Sequence, residues 1–476
     1  MTLWNAQEAA AATGGRVSAD WQASGISIDT RSLQPGDLFI ALTSARDGHD
    51  FVAAAFEKGA AAALVTHRPA DVPQDAPLLI VPDVMAALTA LGAAGRARAN
   101  ARVIAVTGSA GKTSTKEMLR EMLSGFGQTH AAEASFNNHW GVPITLARLD
   151  PAVDFAVIEI GMNHPGEIEP LACIARPHVA MITTIAAAHL EAFESVDAIA
   201  HEKASIFMGL MPDAHAVYPC DLPTSPILQA AATTAQAHLW PFGVSSDVVR
   251  LHDMTQTDSA LVMRAQLGRT RLAVRLTNAG AHFGMNALGC LGVAQALGLD
   301  LVRAALALGR WQPPSGRGLR EVITLDAIEE LQFTLIDDAF NANPASVEAA
   351  LDLLAGLTPA RTQSGRSGRR VAILGDMLEL GPQETALHEA LAALPAMNNI
   401  DLVHCVGPRM AALHAKLPQR KRGRQVAKAE DLAMVAHLLV APGDVVLVKG
   451  SKSSFVSRIV DGLRNLDVTM RNAKGM

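Results

Sequence analysis

Gly108, Gly111, Lys112 and Thr113 lie within the run VIAVTGSAGKT at 103–113, at a spacing suited to binding phosphate. Glycines let backbone N–H groups close around phosphate oxygens, and the start of a following helix adds partial positive charge. The stretch Gly108-Ser109-Ala110-Gly111-Lys112-Thr113-Ser114 is therefore a nucleotide-binding candidate. Lys112 would reach the terminal phosphates, and the Thr113 hydroxyl would hold Mg²⁺. The chemistry implied is the handling of ATP. A general phosphate loop carries one more glycine, which would fall at Val106, so the loop here reads T-G-x-x-G-K-T. The plain alternative is an ordinary glycine-bearing turn before a helix; Lys-Thr directly after the second glycine argues against it.

Other residues could join this chemistry. Glu159 closes a strand-like run at 155–159, where a carboxylate is well placed to ligate Mg²⁺; an ion-paired edge glutamate is the alternative. His189 sits in an apolar context that more often holds a core or capping histidine. Lys203 falls on a helical pattern at 201–211, where lysine is usually just solvated. His282 and Asn286 are four residues apart, so they share one face of an apolar helix; a nucleotide or a neighbouring backbone would satisfy them. Asp338, Asn341 and Asn343 belong to a dense turn after a strand, equally consistent with a helix N-cap. The segments 375–381 and 449–452 also follow strands, and simple capping would explain each.

These residues need elements to position them. The β-branched run 103–106 reads as a buried parallel strand feeding the glycine loop. Over 113–127, Met118, Leu119, Met122 and Leu123 form one apolar helical stripe, with Gly125 a plausible stop. Strand-like runs at 155–159, 179–183 and 216–218 alternate with helical patterns, which indicates a mostly parallel sheet. A less regular β-prone stretch covers 248–276, and an apolar helix follows over 279–299. Before the loop, two strand-like runs flank a turn at 34–37, 47–65 reads as helix then strand, and 93–102 reads as a boundary helix and linker. After it, 311–318 is a Pro/Gly linker, and FTLIDDAF, VAILGD, LVHCVG and DVVLVKG look like four parallel strands. Residues 361–370 read as a surface loop. The expected architecture is α/β in three domains: an N-terminal α/β unit over 1–100, a central phosphate-loop parallel-sheet domain over 101–314 and a Rossmann-like domain over 315–476.

Composition agrees with this and excludes other classes. The 476 residues suffice for roughly three domains of about 150. A net charge of −6 argues against a nucleic-acid or anionic-membrane surface. Cys173, Cys220, Cys290 and Cys405 are widely spaced, which disfavours zinc ribbons and redox dithiols and fits buried free thiols in a reducing cytoplasm. The N-terminal residues lack the basic start of a secretory signal, and the most apolar stretch is interrupted by His282, Asn286 and Gln295. A cytoplasmic monomer with no membrane or nucleic-acid partner is expected.

Several segments together resemble the Mur ligases, ATP-dependent amide-forming enzymes of peptidoglycan synthesis. They are TGSAGKTST, DTRSLQPGDLFIAL, DGHDF, NNHWGVPITL, EIGMNHPGEI, AAAHLEAF, DDAFNANPASVEAAL, GDMLELG and LVKGSKS, spread over essentially the whole chain. The last three are specific to the branch that joins D-alanyl-D-alanine to UDP-N-acetylmuramoyl-tripeptide. The short phosphate loop is that family's form. The resemblance implies ATP and Mg²⁺ as cofactors, with Thr113, Glu159, His189 and a carbamylated Lys203 around the metal and Lys112, Glu159, His189 and Lys203 as the catalytic set. It implies that Asn137 and Asn138 lie near the site, that His282 and Asn286 line the nucleotide pocket, and that Arg317, Asp338, Asn341 and Asn343 close over it. Asp29, Thr30, Arg31, Asp47, Gly48 and His49 would help hold the UDP-sugar.

Three positions depart from the family pattern: Phe283 where asparagine is frequent, Phe340 where tyrosine is usual, and Thr30 where serine is common. The expected reaction runs through an acyl phosphate, with closure of the third domain about 313–318 keeping water out. A diaminopimelate-adding ligase is disfavoured, because no arginine follows Pro344. A folylpolyglutamate synthase, a phosphate-loop kinase and a nucleotide-dependent switch are the remaining rivals.

Overall fold

A computed structural model of the chain describes residues 2–43, 46–277, 280–362 and 365–469. The strand Arg102–Thr107 alternates its side chains between two cores. Ile104 and Val106 face a core containing Met118, Leu119, Met122 and Leu123, and Val103 and Ala105 face a second one containing Val142, Ile158 and Ile182. A strand covered on both faces reads as a continuous apolar run, which is why 103–106 is one. The helix Lys112–Ser124 presents the expected stripe to the first core.

Arg102–Thr107 pairs in parallel with Phe155–Glu159 on one side and Val179–Ile182 on the other. The chain leaves this strand in both directions, so its carboxyl end is a topological switch point where ligands gather in open α/β sheets. Thr129–Ala131 closes one edge. On the other side His215–Pro219 and His238–Gly243 continue the sheet, followed by Val249–Gln256, Ala260–Leu267 and Thr270–Thr277. The β-prone stretch after 248 is thus three strands, the last two antiparallel additions to a parallel sheet. The expected helix at 201–211 begins earlier, as Val196–Ala204 capped by Ser195, and ends in a 3-10 turn. The apolar helix runs Ala281–Ala296; Ala279 lies outside the described residues.

The N-terminal unit holds a five-stranded sheet in which Gly25–Ser27 and Asp37–Ile40 pair in parallel. Its last helix, Val84–Arg98, packs on Gly141–Ala147 of the central unit; a Cβ on Gly92 would lie 2.8 Å from the Pro143 carbonyl. Trp4 Nε1 donates to the Ala147 carbonyl (2.8 Å), Arg148 Nε to that of Ile26 (2.8 Å) and Arg96 Nε to that of Ala175 (2.8 Å).

The third unit has the four expected parallel strands, Leu331–Asp338, Val445–Lys449, Arg370–Gly375 and Leu402–Val406, plus two edges. Leu319–Asp326 is antiparallel and Arg422–Val426 parallel; polar edge strands lack the apolar run that marks a covered one. In the loop expected at 361–370, Arg361 bridges Ser367, Arg370 already belongs to a strand, and Gln363 and Ser364 lie outside the described residues. Cys290 and Cys405 are buried thiols as expected, whereas Cys220 is half-buried and Cys173 exposed. No helix among the described residues is long and apolar enough to cross a membrane.

Candidate active site

The glycine loop lies at the carboxyl end of Arg102–Thr107. Gly111 adopts φ +79° as the N-cap of Lys112–Ser124, and a Cβ there would stand 2.7 Å from Asn286 Nδ2. Glycine is required both for the left-handed backbone and for this close approach. Asn286, on the apolar helix, thereby lies against the loop. Thr183 Oγ1 donates to the Ala110 carbonyl (2.6 Å), the Ser109 N–H to that of Thr184 (2.9 Å), and the Ala186 N–H to Ser109 Oγ (3.0 Å). The loop is thus held by the strand end at 183–186. Ser114 is buried in the first helical turn.

Lys112 arches back over the loop, its Nζ donating to the Gly108 carbonyl at 2.8 Å. Burial holds its ammonium below the usual lysine range; Glu159 opposes this shift and Arg317 adds to it. Thr113 Oγ1 donates to Glu159 Oε1 (3.2 Å) and lies 3.1 Å from Ser135 Oγ. Asn137 Nδ2 donates to the same Glu159 oxygen at 2.7 Å, while Glu159 Oε2 is buried without a partner. An orphaned carboxylate oxygen beside two hydroxyls suits a hard divalent cation with oxygen ligands. Lys203 Nζ is likewise buried and unpartnered. Burial pushes it well below the usual lysine range, and the Lys112 charge adds to the shift. Burial without a partner favours the uncharged, nucleophilic form of an amine over the ammonium.

His189 is turned toward the third unit, its Nδ1 2.6 Å from Glu379 Oε2, and this bond holds the Glu379 carboxyl below the usual carboxylate range. Asn343 also spans the units: it caps the helix Pro344–Gly356 through Ser346 N–H (2.9 Å), and its Nδ2 donates to the Ser109 carbonyl (3.2 Å). Asp338 pairs with the buried Lys449 at 2.7 Å, and Lys449 also donates to the Asn341 carbonyl (2.9 Å). Burial lowers the His282 imidazole to about 4, with help from the Lys449 charge. Arg317 lies over the Phe340 ring, 4.0 Å from its centroid, so the phenyl ring keeps a cation-binding face where the usual tyrosine hydroxyl is absent. Phe283 is a core residue that packs edge-on against Trp311 (5.1 Å), under the linker to the third unit.

The structure therefore gathers Lys112, Thr113, Glu159, Asn137, Asn286, Arg317 and Asn343 around one loop. The N-terminal candidates form two separate turns. Asp29 is bound by Arg31 (2.6 Å), which lowers the Asp29 carboxyl, and the Thr30 carbonyl accepts from Lys58 Nζ (2.8 Å). His49 is buried, with Nδ1 on Asp47 (2.7 Å) and Nε2 accepting from Thr66 N–H (2.9 Å), so both ring nitrogens serve the fold. Gly48 is pressed against the Ala41–Leu42 backbone. Asn138 Oδ1 caps Gly141 N–H (2.9 Å). Ser135, Glu379 and Lys449 were not singled out from the sequence as site residues, although GDMLELG and LVKGSKS contain the latter two.

Fold and site define a three-domain α/β protein with a phosphate-binding loop at the domain junction. Family models match nearly end to end: the Mur ligase family catalytic domain over 22–126, the Mur ligase middle domain over 106–294 and the Mur ligase glutamate ligase domain over 325–452. The chain belongs to the Mur ligase family. It is 35% identical to the UDP-N-acetylmuramoyl-tripeptide–D-alanyl-D-alanine ligase of Escherichia coli K12, covering 94% of this chain and 95% of that one. The enzyme of the same name from Bacillus subtilis 168 is 32% identical, covering 92% and 93%. A crystal structure of MurF from Acinetobacter baumannii superposes with a TM-score of 0.83 at 30% identity, covering 97% of this chain and 99% of that one.

Proposed function

We propose that this chain joins D-alanyl-D-alanine to UDP-N-acetylmuramoyl-tripeptide with hydrolysis of ATP to ADP and phosphate, as a cytoplasmic monomer. The observation that carries this reading is the convergence of Lys112, Thr113 and the half-satisfied Glu159 on a glycine loop that the third domain touches through Asn343. The names of the full-length relatives support the acceptor and donor.

A carboxylate resists attack by an amine until an oxygen is made a leaving group. The tripeptide's terminal carboxylate attacks the γ-phosphorus of ATP; the bond to the β–γ bridging oxygen breaks and ADP departs. The free amine of D-alanyl-D-alanine then attacks the acyl phosphate carbonyl, loses a proton, and the tetrahedral adduct expels phosphate. Lys112, with the loop N–H groups, stabilises charge on the transferring phosphoryl group. Thr113, Glu159 and His189 would hold Mg²⁺, which neutralises phosphate charge when bound. Lys203, when deprotonated, would add CO₂ through its amine and release a proton, becoming a carbamate anion suited to the same site. His282 and Asn286 flank the nucleotide, and Asn137 orients Glu159. Arg317, Asp338, Asn341 and Asn343 form the third-domain wall that excludes water. Asp29, Thr30, Arg31 and the 47–49 turn would carry the UDP-sugar, within units bounded at 1–100, 101–314 and 315–476.

Phosphate release with D-alanyl-D-alanine, diaminopimelate and glutamate as separate acceptors tests the reading. Release with the first alone is expected; release with either of the others in its place sinks the assignment.

A further inference from the structure

His189 and Glu379 are two of the seven non-glycine residues at positive φ among the described residues, at +56° and +63°. They face each other from the central and third domains, with Nδ1 2.6 Å from Oε2. The backbones meet along the same line. The Glu191 N–H donates to the Glu379 carbonyl at 3.3 Å, and a Cβ on Gly381 would stand 3.3 Å from Glu191 Cα. Left-handed side-chain-bearing residues persist only where their surroundings hold them, and they cluster at functional sites. The His189 side chain is 18% exposed and that of Glu379 is 57% exposed. Glu379 therefore adds little to any core; its carboxylate bonds the imidazole, with the His164 charge also acting on it.

We propose that Glu379 is a positioning residue whose carboxylate fixes the His189 ring in the Nδ1–H tautomer, leaving Nε2 for a ligand, and does so only when the third domain is docked. This rests on the reading above, in which His189 serves a metal. A carboxylate on the far nitrogen of a ligating histidine sets its tautomer, orients it and raises its basicity. Here that carboxylate rides on a separate domain. The imidazole is oriented as the third domain brings Asn343 onto the phosphate loop, so closure and completion of the metal site become one event.

The test uses the full chain with Glu379→Ala and Glu379→Gln. The first readout is the ¹⁵N signal of His189 in protein without nucleotide, assigned by its disappearance in His189→Gln. The wild type is expected in the Nδ1–H form, and Glu379→Ala as a tautomer mixture. The second is the magnesium concentration giving half-maximal acceptor-dependent phosphate release, expected to rise about 10- to 100-fold in Glu379→Ala. Glu379→Gln keeps an acceptor oxygen and should shift less than the alanine variant. A thermal-stability change alone, an unchanged tautomer, or a tautomer change with an unaltered magnesium requirement overturns the proposal. A wild type without D-alanyl-D-alanine-dependent phosphate release sinks the functional reading instead, while the ¹⁵N signal still tests the pair.

Discussion

Lys203 is fully buried and Lys112 partly so; burial lowers both amines, and the Lys112 charge lowers Lys203 further. Burial lowers Lys112 while the Glu159 carboxylate opposes the shift, which suits its proposed role as a cation. Lys112→Ala should cut acceptor-dependent phosphate release by about 10²–10³-fold or more while leaving the thermal midpoint within a few degrees. Substantial surviving ligation counts against its role. Lys203 Nζ is buried with no hydrogen-bond partner, and burial disfavours its charge. Lys203→Ala should be inactive, and a short carboxylic acid added at millimolar concentration should restore part of the rate by occupying the carbamate position. At this scale the sequence was legible where chemistry is local. The Gly-Lys-Thr run marks a phosphate-loop candidate on sight, whereas Lys203 reads as an ordinary helical lysine until burial is known.

Individual elements set the angles at which these groups meet. Asn343 caps its helix with Oδ1 and reaches Ser109 with Nδ2, so one side chain serves local stability and domain contact. Asn343→Ala should lower stability by about 1 kcal/mol and also weaken ATP use. Asn343→Ser keeps a cap but cannot reach the loop; its unfolding midpoint should stay near wild type while KM for ATP rises, and an unchanged KM would show the Ser109 contact to be idle. In the strand Leu402–Val406, His404 Nδ1 accepts from the Arg424 N–H (2.9 Å) while Nε2 is buried without a partner. Burial lowers this imidazole to about 4, as it does for His282. The unfolded chain, titrating near the usual 6.5, binds more protons between those values. Stability is therefore full above about pH 6.5 and is lost as pH falls through 4, by roughly 3 kcal/mol per group once the pH is below both values. Denaturant unfolding at pH 7 and pH 4.5 should show a smaller difference in His404→Gln than in wild type.

The whole molecule is unevenly joined. The N-terminal and central domains interlock through close helix packing and, among the described residues, four side-chain bonds to backbone carbonyls, from Trp4, Arg148 and twice from Arg96. The third domain instead meets the central one through scattered polar contacts. Asn343 and Glu379 make two, and Asp258, at the tip of the 249–267 hairpin, makes two more. Its carbonyl accepts from Arg320, and its carboxylate accepts from Thr358 N–H (2.9 Å). Gly316 and Gly318, at φ +76° and +94°, give the linker its freedom beyond the buried Trp311. Asp258→Ala should leave the first two domains intact and raise the rate of proteolytic cleavage within 313–318 several-fold; an unchanged cleavage rate would show the hairpin contact to be immaterial. The sequence by itself determined the α/β class, the strand feeding the glycine loop, the amphipathic helix behind it and the family, because each is written in local periodicity or in contiguous motifs. Only the tertiary structure decided that Ser135 stands beside Thr113, that Lys203 loses its solvent, that Phe283 belongs to the core, that His49 is consumed by the fold, and that Glu379 reaches His189. Those outcomes depend on which surfaces the chain brings together over long separations, and burial and orientation exist only after it has done so.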